Sequence, residues 1–496
     1  MIPARRRMAG VDAAYLRMER RTNSMVIVGV IVLAERLTLE ELKRLIAERW
    51  LIHERFRAVP VEEAVGGTWV EDPYFELDAH VGTLSLPADG SQAALEQLVA
   101  ELASQGLDPR RPMWRFDLVP RYGKGSAIIE RIHHCYADGI ALVKLILGLT
   151  TAAPGAPLAP PEPTAEDPRQ ADEALAPWLS ALIAPAATWL GGAIAGGTSL
   201  VEAGLKQVLH PREALGEARH AAGMAAELAS VAALPDDPPS PLKGPLGALK
   251  SVAWSKPLPL HEVRTVARAL GCTVNDVLIA VIAGALGRYL RRRGYDTRGR
   301  TLRATLPVNL RLADEPASLG NRFGLVVLSL PIGIAHPLKR LYAVREAMQA
   351  LKGSPQAAAA FVTLTALGHL PAAVETLVID MLSGKASAVI TNVPGPPRPI
   401  YLCDRLISEM HFCVPQSGTI GLGISLFSYA GELQFAVIAD RGLVPSPHAI
   451  VDGFGDEFER LLLLTVLGIA HMRAPRLPRA GAARARGPGN PPQPAA

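Results

Sequence analysis

Two adjacent histidines, with an aspartate and a glycine shortly after, stand in His133-His134-Cys135-Tyr136-Ala137-Asp138-Gly139. An imidazole has an ordinary pKa of about 6.5, so near neutral pH it is mostly uncharged and can take a proton from an alcohol or thiol attacking a carbonyl. Side chains alternate along a strand, so two neighbouring histidines at a strand end cannot both enter one cleft. One works and the other supports; His134 is assigned the working role and His133 the supporting one. Asp138 has two candidate duties: to orient the imidazole as in a Ser-His-Asp triad, or to turn away and pair with an arginine that holds the loop rigid. The bland alternative is a satisfied core histidine beside an N-capping aspartate. No third ligand stands at a recognisable spacing and the other histidines are scattered, so no metal site is expected.

The elements around these residues read as strand, tight turn and helix. Ser126–His133 is β-branched and apolar, and Ile140, Leu142, Val143, Ile146 and Leu149 recur at helical spacing, placing Asp138 and Gly139 at a helix N-terminus. Upstream, Trp114, Phe116 and Leu118 alternate with Arg115 and Asp117, and Tyr122-Gly123-Lys124-Gly125 turns this strand into the histidine-bearing one. Trp114 has a core reading and a second one, shaping a substrate channel. Met8–Glu19 reads as a helix whose amphipathic spacing makes Asp12 and Glu19 surface charges, and Met25–Leu33 as a buried strand.

Further along, Thr273 caps a helix with one continuous apolar face, and Asn275 and Asp276 occupy its first turn, where Asp276 complements the helix dipole. Leu302–Val308 reads as a strand delivering Asn309 and Arg311. Ala386–Thr391 reads as a strand ending at Asn392 and a rigid Val393-Pro394-Gly395-Pro396 turn. The Thr391 hydroxyl and the Asn392 amide are the candidate donors for negative charge developing on a carbonyl oxygen; a turn-forming asparagine is the alternative.

His133-His134-Cys135-Tyr136-Ala137-Asp138-Gly139 fits the HHxxxDG motif of the CoA-dependent acyltransferase superfamily. Pro112-Met113-Trp114, Thr273-Val274-Asn275-Asp276-Val277, Leu306-Pro307-Val308-Asn309-Leu310-Arg311, Gly320-Asn321-Arg322-Phe323-Gly324, Thr391-Asn392-Val393-Pro394-Gly395-Pro396 and Asp440-Arg441 narrow the match. In this order, over about residues 8 to 470, the chain resembles the bacterial wax ester synthase/diacylglycerol acyltransferases. Met113 replaces the family's usual leucine and Thr391 its usual serine.

The resemblance implies an α/β protein of two chloramphenicol-acetyltransferase-like domains, each a mixed β-sheet with flanking helices, with an active-site tunnel at their interface. It implies transfer of a fatty acyl group from acyl-CoA, a co-substrate rather than a cofactor, to diacylglycerol or a long-chain alcohol. A polyketide or glycolipid hydroxyl is an alternative acceptor, and a non-catalytic lipid-binding protein is the alternative from another class. The resemblance also makes His134, His133 and Asp138 catalytic, with Gly139 as support. It makes Arg311 the salt-bridge partner of Asp138, brings Asn275 and Asp276 near the tunnel, and puts the Asp12 region, with Glu19, near the site. Cys135, inside the motif, is then a small buried residue, since acyl transfer by this route needs no covalent enzyme intermediate.

With 496 residues and 49% hydrophobic composition, the chain holds material for two cores. The expected boundaries are 1–151 for the domain carrying HHxxxDG, 152–245 for a proline-rich linker with apolar helices, 246–472 for a second acyltransferase-like domain, and 473–496 for a disordered basic tail. Ala174–Val201 carries no charge, but alanine, glycine and two prolines make it a poor membrane span and a better surface-seeking segment. A net charge of +4, without basic stretches interleaved with aromatics, gives no ground for nucleic-acid binding. Four unpaired-looking cysteines and no apolar leader fit the cytoplasm, with peripheral contact at the inner membrane or a lipid droplet surface.

Overall fold

All eight residues of Val26–Leu33 are buried because alternate side chains feed different cores: Ile27, Ile31 and Leu33 one, Val26, Val28, Val30 and Val32 another. Such a strand must be central and covered on both faces. In this computed structural model, residues 4–87, 90–160, 226, 229–311, 319–352, 354–416 and 418–468 are described. Ala174–Val201 and the 473–496 tail lie outside them.

The strands in chain order are β1 (Arg5–Arg7), β2 (Val26–Leu33), β3 (Ala58–Glu62), β4 (Gly67–Glu71), β5 (Val81–Thr83), β6 (Trp114–Tyr122), β7 (Gly125–His133), β8 (Lys250–Trp254) and β9 (Leu258–Pro259). They continue with β10 (Leu302–Asn309), β11 (Phe323–Leu330), β12 (Ala388–Pro394), β13 (Tyr401–Leu402), β14 (Arg405–Cys413), β15 (Leu422–Tyr429) and β16 (Glu432–Asp440). The described helices are α1 (Gly10–Arg17), α2 (Leu39–Arg49), α3 (Gln92–Ala103), α4 (Gly139–Leu147), α5 (Leu260–Ala269), α6 (Val274–Arg292), α7 (Pro337–Lys352), α8 (Gln356–Leu367), α9 (Ala372–Ser383) and α10 (His448–Val466).

Two mixed sheets dominate. One runs β13-β14-β2-β7-β6-β5, the other β11-β10-β12-β15-β16-β8, with β9 added beside β16. The expected division at residue 246 does not follow these sheets, because β13 and β14 leave the second half of the chain and complete the first sheet, β14 antiparallel to β2. A shared core reinforces the join: Val28 and Val30 of the first sheet, Val252 and Ile438 of the second, and Leu95 and Val99 of α3 form one apolar cluster.

The segment Pro235–Pro245, expected as linker, is tied down. Asp237 is buried and its carboxylate accepts from Arg303 N at 3.1 Å and Ser387 Oγ at 2.5 Å. Strand β12 runs through Thr391 and Asn392 to Pro394, further than expected, pairing in parallel with β15 as Thr391↔Ser425 and Asn392↔Leu426. Proline can end such a ladder, and the turn begins only after it.

Helix α1 from the first half packs on α8 from the second with almost no side chain between. A Cβ on Gly368 would stand 1.7 Å from the Gly10 carbonyl oxygen, and one on Gly10 would stand 2.3 Å from the Thr365 carbonyl oxygen. Gly368→Ala therefore pries α1 from α8; the expected loss is about 1–3 kcal/mol, the usual cost of overpacking. A urea midpoint that falls at unchanged slope reads it.

Candidate active site

Strand β7 ends at His133, and Asp138 caps α4 with its Oδ1 accepting from Ala141 N at 2.9 Å. The capping aspartate stabilises a helix start and fixes where the intervening turn must go. Within that turn His134 N donates to Met25 O at 2.7 Å, which ties it to the start of β2. The other side of the site comes from the second half: β10 brings Asn309 and Arg311, and Gly320 and Asn321 lead into β11. Gly320 has φ +100°, and a Cβ there would lie 3.2 Å from Asp12 Oδ2, so glycine is required to bring Asn321 this close.

Asn321 decides the state of His134. Its Nδ2 donates to Asp12 Oδ1 at 2.9 Å and to the His134 carbonyl at 2.8 Å. Both partners are pure acceptors, so the amide has one orientation, with Oδ1 toward His134 Nδ1 at 2.8 Å. Nδ1 then carries the proton and Nε2 the free electron pair. Asp12 is held in turn by Arg55 Nη1 at 3.2 Å, whose guanidinium also donates to Tyr136 O at 2.9 Å and lies 5.0 Å over the Trp69 ring. Tyr15 stacks on the imidazole, with ring centroids 4.3 Å apart and planes 10° apart. Burial pushes the His134 pKa down to about 4, against an upward pull from the Asp138 carboxylate.

Asp138 does not touch the imidazole in this arrangement. Its Oδ2 accepts from Arg311 Nη1 at 2.6 Å and from Arg322 N at 3.0 Å, and Arg311 Nη2 reaches Gly320 O at 2.9 Å. Of its two candidate duties, the geometry is that of the loop-holding pair. His133 is buried and turned away from His134's cavity. Its Nδ1 accepts from Cys135 N at 3.2 Å, and its Nε2 lies 3.3 Å from Glu19 Oε2. Burial pushes the Cys135 thiol well above its usual range, which leaves it protonated.

His134 lines a cavity of about 320 Å³ together with Tyr15, Phe323, Leu325, Arg311 and Thr391. A second cavity, of about 340 Å³, is lined by Asn275, Leu278, Met348 and Lys352 and shares Pro307 and Asn392 with the first. At that common wall Asn392 Nδ2 donates to Asn275 Oδ1 at 2.7 Å. Such an arrangement can hold an apolar substrate next to a neutral imidazole and can offer a proton acceptor at Nε2.

A family model described as the wax ester synthase/diacylglycerol acyltransferase catalytic domain matches residues 8–278, and one described as the WS/DGAT C-terminal domain matches residues 319–462. The chain belongs to the wax ester synthase/diacylglycerol acyltransferase family. A probable diacylglycerol O-acyltransferase of Mycobacterium tuberculosis is 28% identical over 402 residues, covering 80% of this chain and 81% of that protein. The wax ester synthase/diacylglycerol acyltransferase from Marinobacter aquaeolei VT8 superposes with a TM-score of 0.65 at 22% identity, over 94% of this chain and 100% of that one. The first condensation domain of the calcium-dependent antibiotic synthetase superposes at 0.56 with 15% identity, over 93% and 96%. These two superpositions show the fold: two mixed sheets with flanking helices.

Within this wax ester synthase/diacylglycerol acyltransferase fold, Trp114 takes its core reading and Asp276 its helix-start reading, while Asp12 departs from the reading its helical spacing gave. Trp114 does not line either cavity; its Nε1 donates to Phe56 O at 2.8 Å, and its ring packs on His80, Trp50 and Phe56 in the first core. Asp276 closes a capping box, its Oδ2 accepting from Thr273 N at 2.8 Å, which spends the carboxylate on the helix end. Asp12, read from helical spacing as a surface charge, is buried because α1 is sandwiched between the two halves. Asn321, though part of the family-like stretch Gly320-Asn321-Arg322-Phe323-Gly324, and Tyr15 receive no site role from the sequence. For Asn321 the available signal was a polar amide after a glycine at the foot of an apolar strand; for Tyr15 there was none.

Two outcomes follow from this geometry. Arg311→Ala leaves the Asp138 carboxylate buried without its cation and is expected to cost about 3–5 kcal/mol of stability, measured by chemical denaturation, with part of the loss recovered by adding Asp138→Ala. Asn321→Ala removes the acceptor at Nδ1, and ¹⁵N NMR of the labelled His134 ring is expected to change from a single Nδ1–H tautomer to a mixture.

Proposed function

We propose that this chain moves a fatty acyl group from acyl-CoA to the hydroxyl of diacylglycerol or a long-chain alcohol, with His134 as general base. One observation supports this above the others: an imidazole whose Nδ1–H is held by Asn321, leaving Nε2 with the free electron pair, lines a mostly apolar cavity at the seam of the two sheets. In this reading Nε2 takes the hydroxyl proton as the alcohol oxygen bonds to the thioester carbonyl carbon. The C–S bond then breaks, and the imidazolium returns the proton to the departing CoA sulfur, leaving ester and free CoA. Asn321 Oδ1 and the field of Asp138 favour the transient imidazolium, while Thr391, which lines the same cavity, is the candidate donor to the carbonyl oxygen. Positioning both substrates supplies a large share of the rate, and the base typically adds ~10²- to ~10⁴-fold.

The acceptors are lipids that partition into membranes and lipid inclusions, so the proposal includes peripheral contact with such a surface. Among the described residues no single helix is long and apolar enough to cross a membrane.

The test is a panel of acceptors offered with one acyl-CoA, read as released CoA and as ester product by mass spectrometry. His134→Gln is expected to lower kcat by ~10²- to ~10⁴-fold while the protein keeps its fold. A base protonated only below about 4 also sets the sign of the pH profile: kcat/KM holds as pH falls through 6.5 and drops only near the His134 pKa. Full activity of folded His134→Gln, or an acid limb centred on 6.5, overturns the assignment.

A further inference from the structure

Along β7 the side chains divide by alternation. Ile128 and Ile132 enter the first core, Ala127 and Ile129 enter the core between the sheets, and Glu130 points the same way as Ile128 and Ile132. A carboxylic acid thus occupies a position whose same-face neighbours along β7, Ile128 and Ile132, are apolar. Its cross-strand partner on β2 is Gly29, where a Cβ would stand 2.1 Å from Glu130 Oε1, so the side chain fills the space the glycine leaves. Glu130 is half-buried as a residue, but its Oε2 is shielded from solvent and has no hydrogen-bond partner among the described residues. Burial alone pushes the carboxyl up to about 7, with no neighbouring charge contributing. A buried, unpartnered polar group costs stability, and natural cores keep few of them.

The group faces a cavity. A space of about 50 Å³ is lined by Glu130 with Leu142, Ile146 and Met410, and it shares Ile27, Gly139, Val393 and Phe412 with the cavity that holds His134. It adjoins the candidate active site as a mostly apolar branch, with Glu130 the one carboxyl and His411 the one imidazole among its lining residues. The rise along a strand places Glu130 about 13 Å from His134, a distance that a saturated chain covers in on the order of ten bonds of about 1.5 Å.

We propose that Glu130 is a specificity-determining residue for the aliphatic chain that enters this branch, discriminating against long unsubstituted chains and in favour of chains whose hydroxyl reaches it. The inference rests on the acyl-transfer reading above. A methylene set against the carboxyl leaves the acid without a partner in the closed complex, whereas a chain hydroxyl gives it one. The chain belongs to the acyl-CoA or to the alcohol, and the test separates these sources.

Wild type, Glu130→Met and Glu130→Gln are compared in two arms: acyl-CoAs of increasing length and their ω-hydroxy counterparts with one alcohol, then alcohols and diols of increasing length with one acyl-CoA. Methionine keeps the length of the side chain and removes its polarity; glutamine keeps both. In one arm Glu130→Met is expected to lose the preference for hydroxylated over plain long chains by on the order of tenfold in kcat/KM, roughly one hydrogen bond's worth, while Glu130→Gln retains it. The arm that responds identifies which substrate occupies the branch. Methionine also relieves an unpartnered buried acid, so its melting temperature is expected to rise, which keeps a loss of fold from being mistaken for a change of specificity. Unchanged length and hydroxyl preferences in both arms, with an active and folded Glu130→Met, overturn this inference alone. A wild-type protein that transfers no acyl group in either arm overturns the acyl-transfer reading as well.

Discussion

A single buried amide, Asn321, carries the geometry of the candidate site. Its two ends are committed to partners of opposite character: Nδ2 to the Asp12 carboxylate and a carbonyl, Oδ1 to the ring N–H of His134. An amide placed this way cannot flip without losing these bonds in a dry environment, where each lost bond costs more than in water. The imidazole tautomer is thus decided by a residue that is itself neither acid nor base. The same bonds span the molecule, because Asp12 and His134 come from the first half of the chain and Asn321 from the second.

That dependence explains why so much of the architecture locks the halves together. Strand β14 crosses to complete the first sheet, α1 sits against α8 at glycine-to-backbone distance, and the two sheets share an apolar core. The ion pair between Asp138 and Arg311 joins the two halves again beside the site, and Arg311 also holds the Gly320 carbonyl next to Asn321. A seam that slid by an ångström would break the amide's contacts. Apolar burial supplies the bulk of the adhesion, and the directional bonds choose one register for it.

The legible parts of the sequence were those whose cause is local. The apolar run 25–33, the strand before His133, the Thr273 cap and the Asp138 helix start all declare themselves through spacing and side-chain type, and they stand in the structure close to where they were read. The pairing of Asp138 with Arg311 also stands in the structure, though resemblance and not spacing implies it. Less was visible wherever burial depends on a distant partner. Helical periodicity made Asp12 a surface residue, since nothing near it in sequence reveals that α8 and the Gly320 turn will cover it. Trp114 and Asp276 carried chemistry on paper and were absorbed by packing and by a helix cap.

By itself the sequence determined that a histidine would sit at the end of a strand beside a capped helix, in a chain rich enough in apolar residues for two sheets. Strand alternation and helix capping act over a few residues, so a linear reading reaches them. Only the tertiary structure decided which nitrogen of His134 is free, that Asn321 sets it while Tyr15 stacks on the ring, and that the first sheet takes β13 and β14 from the second half of the chain. Those outcomes depend on which distant surfaces exclude water from each other, and residue spacing does not encode that contact.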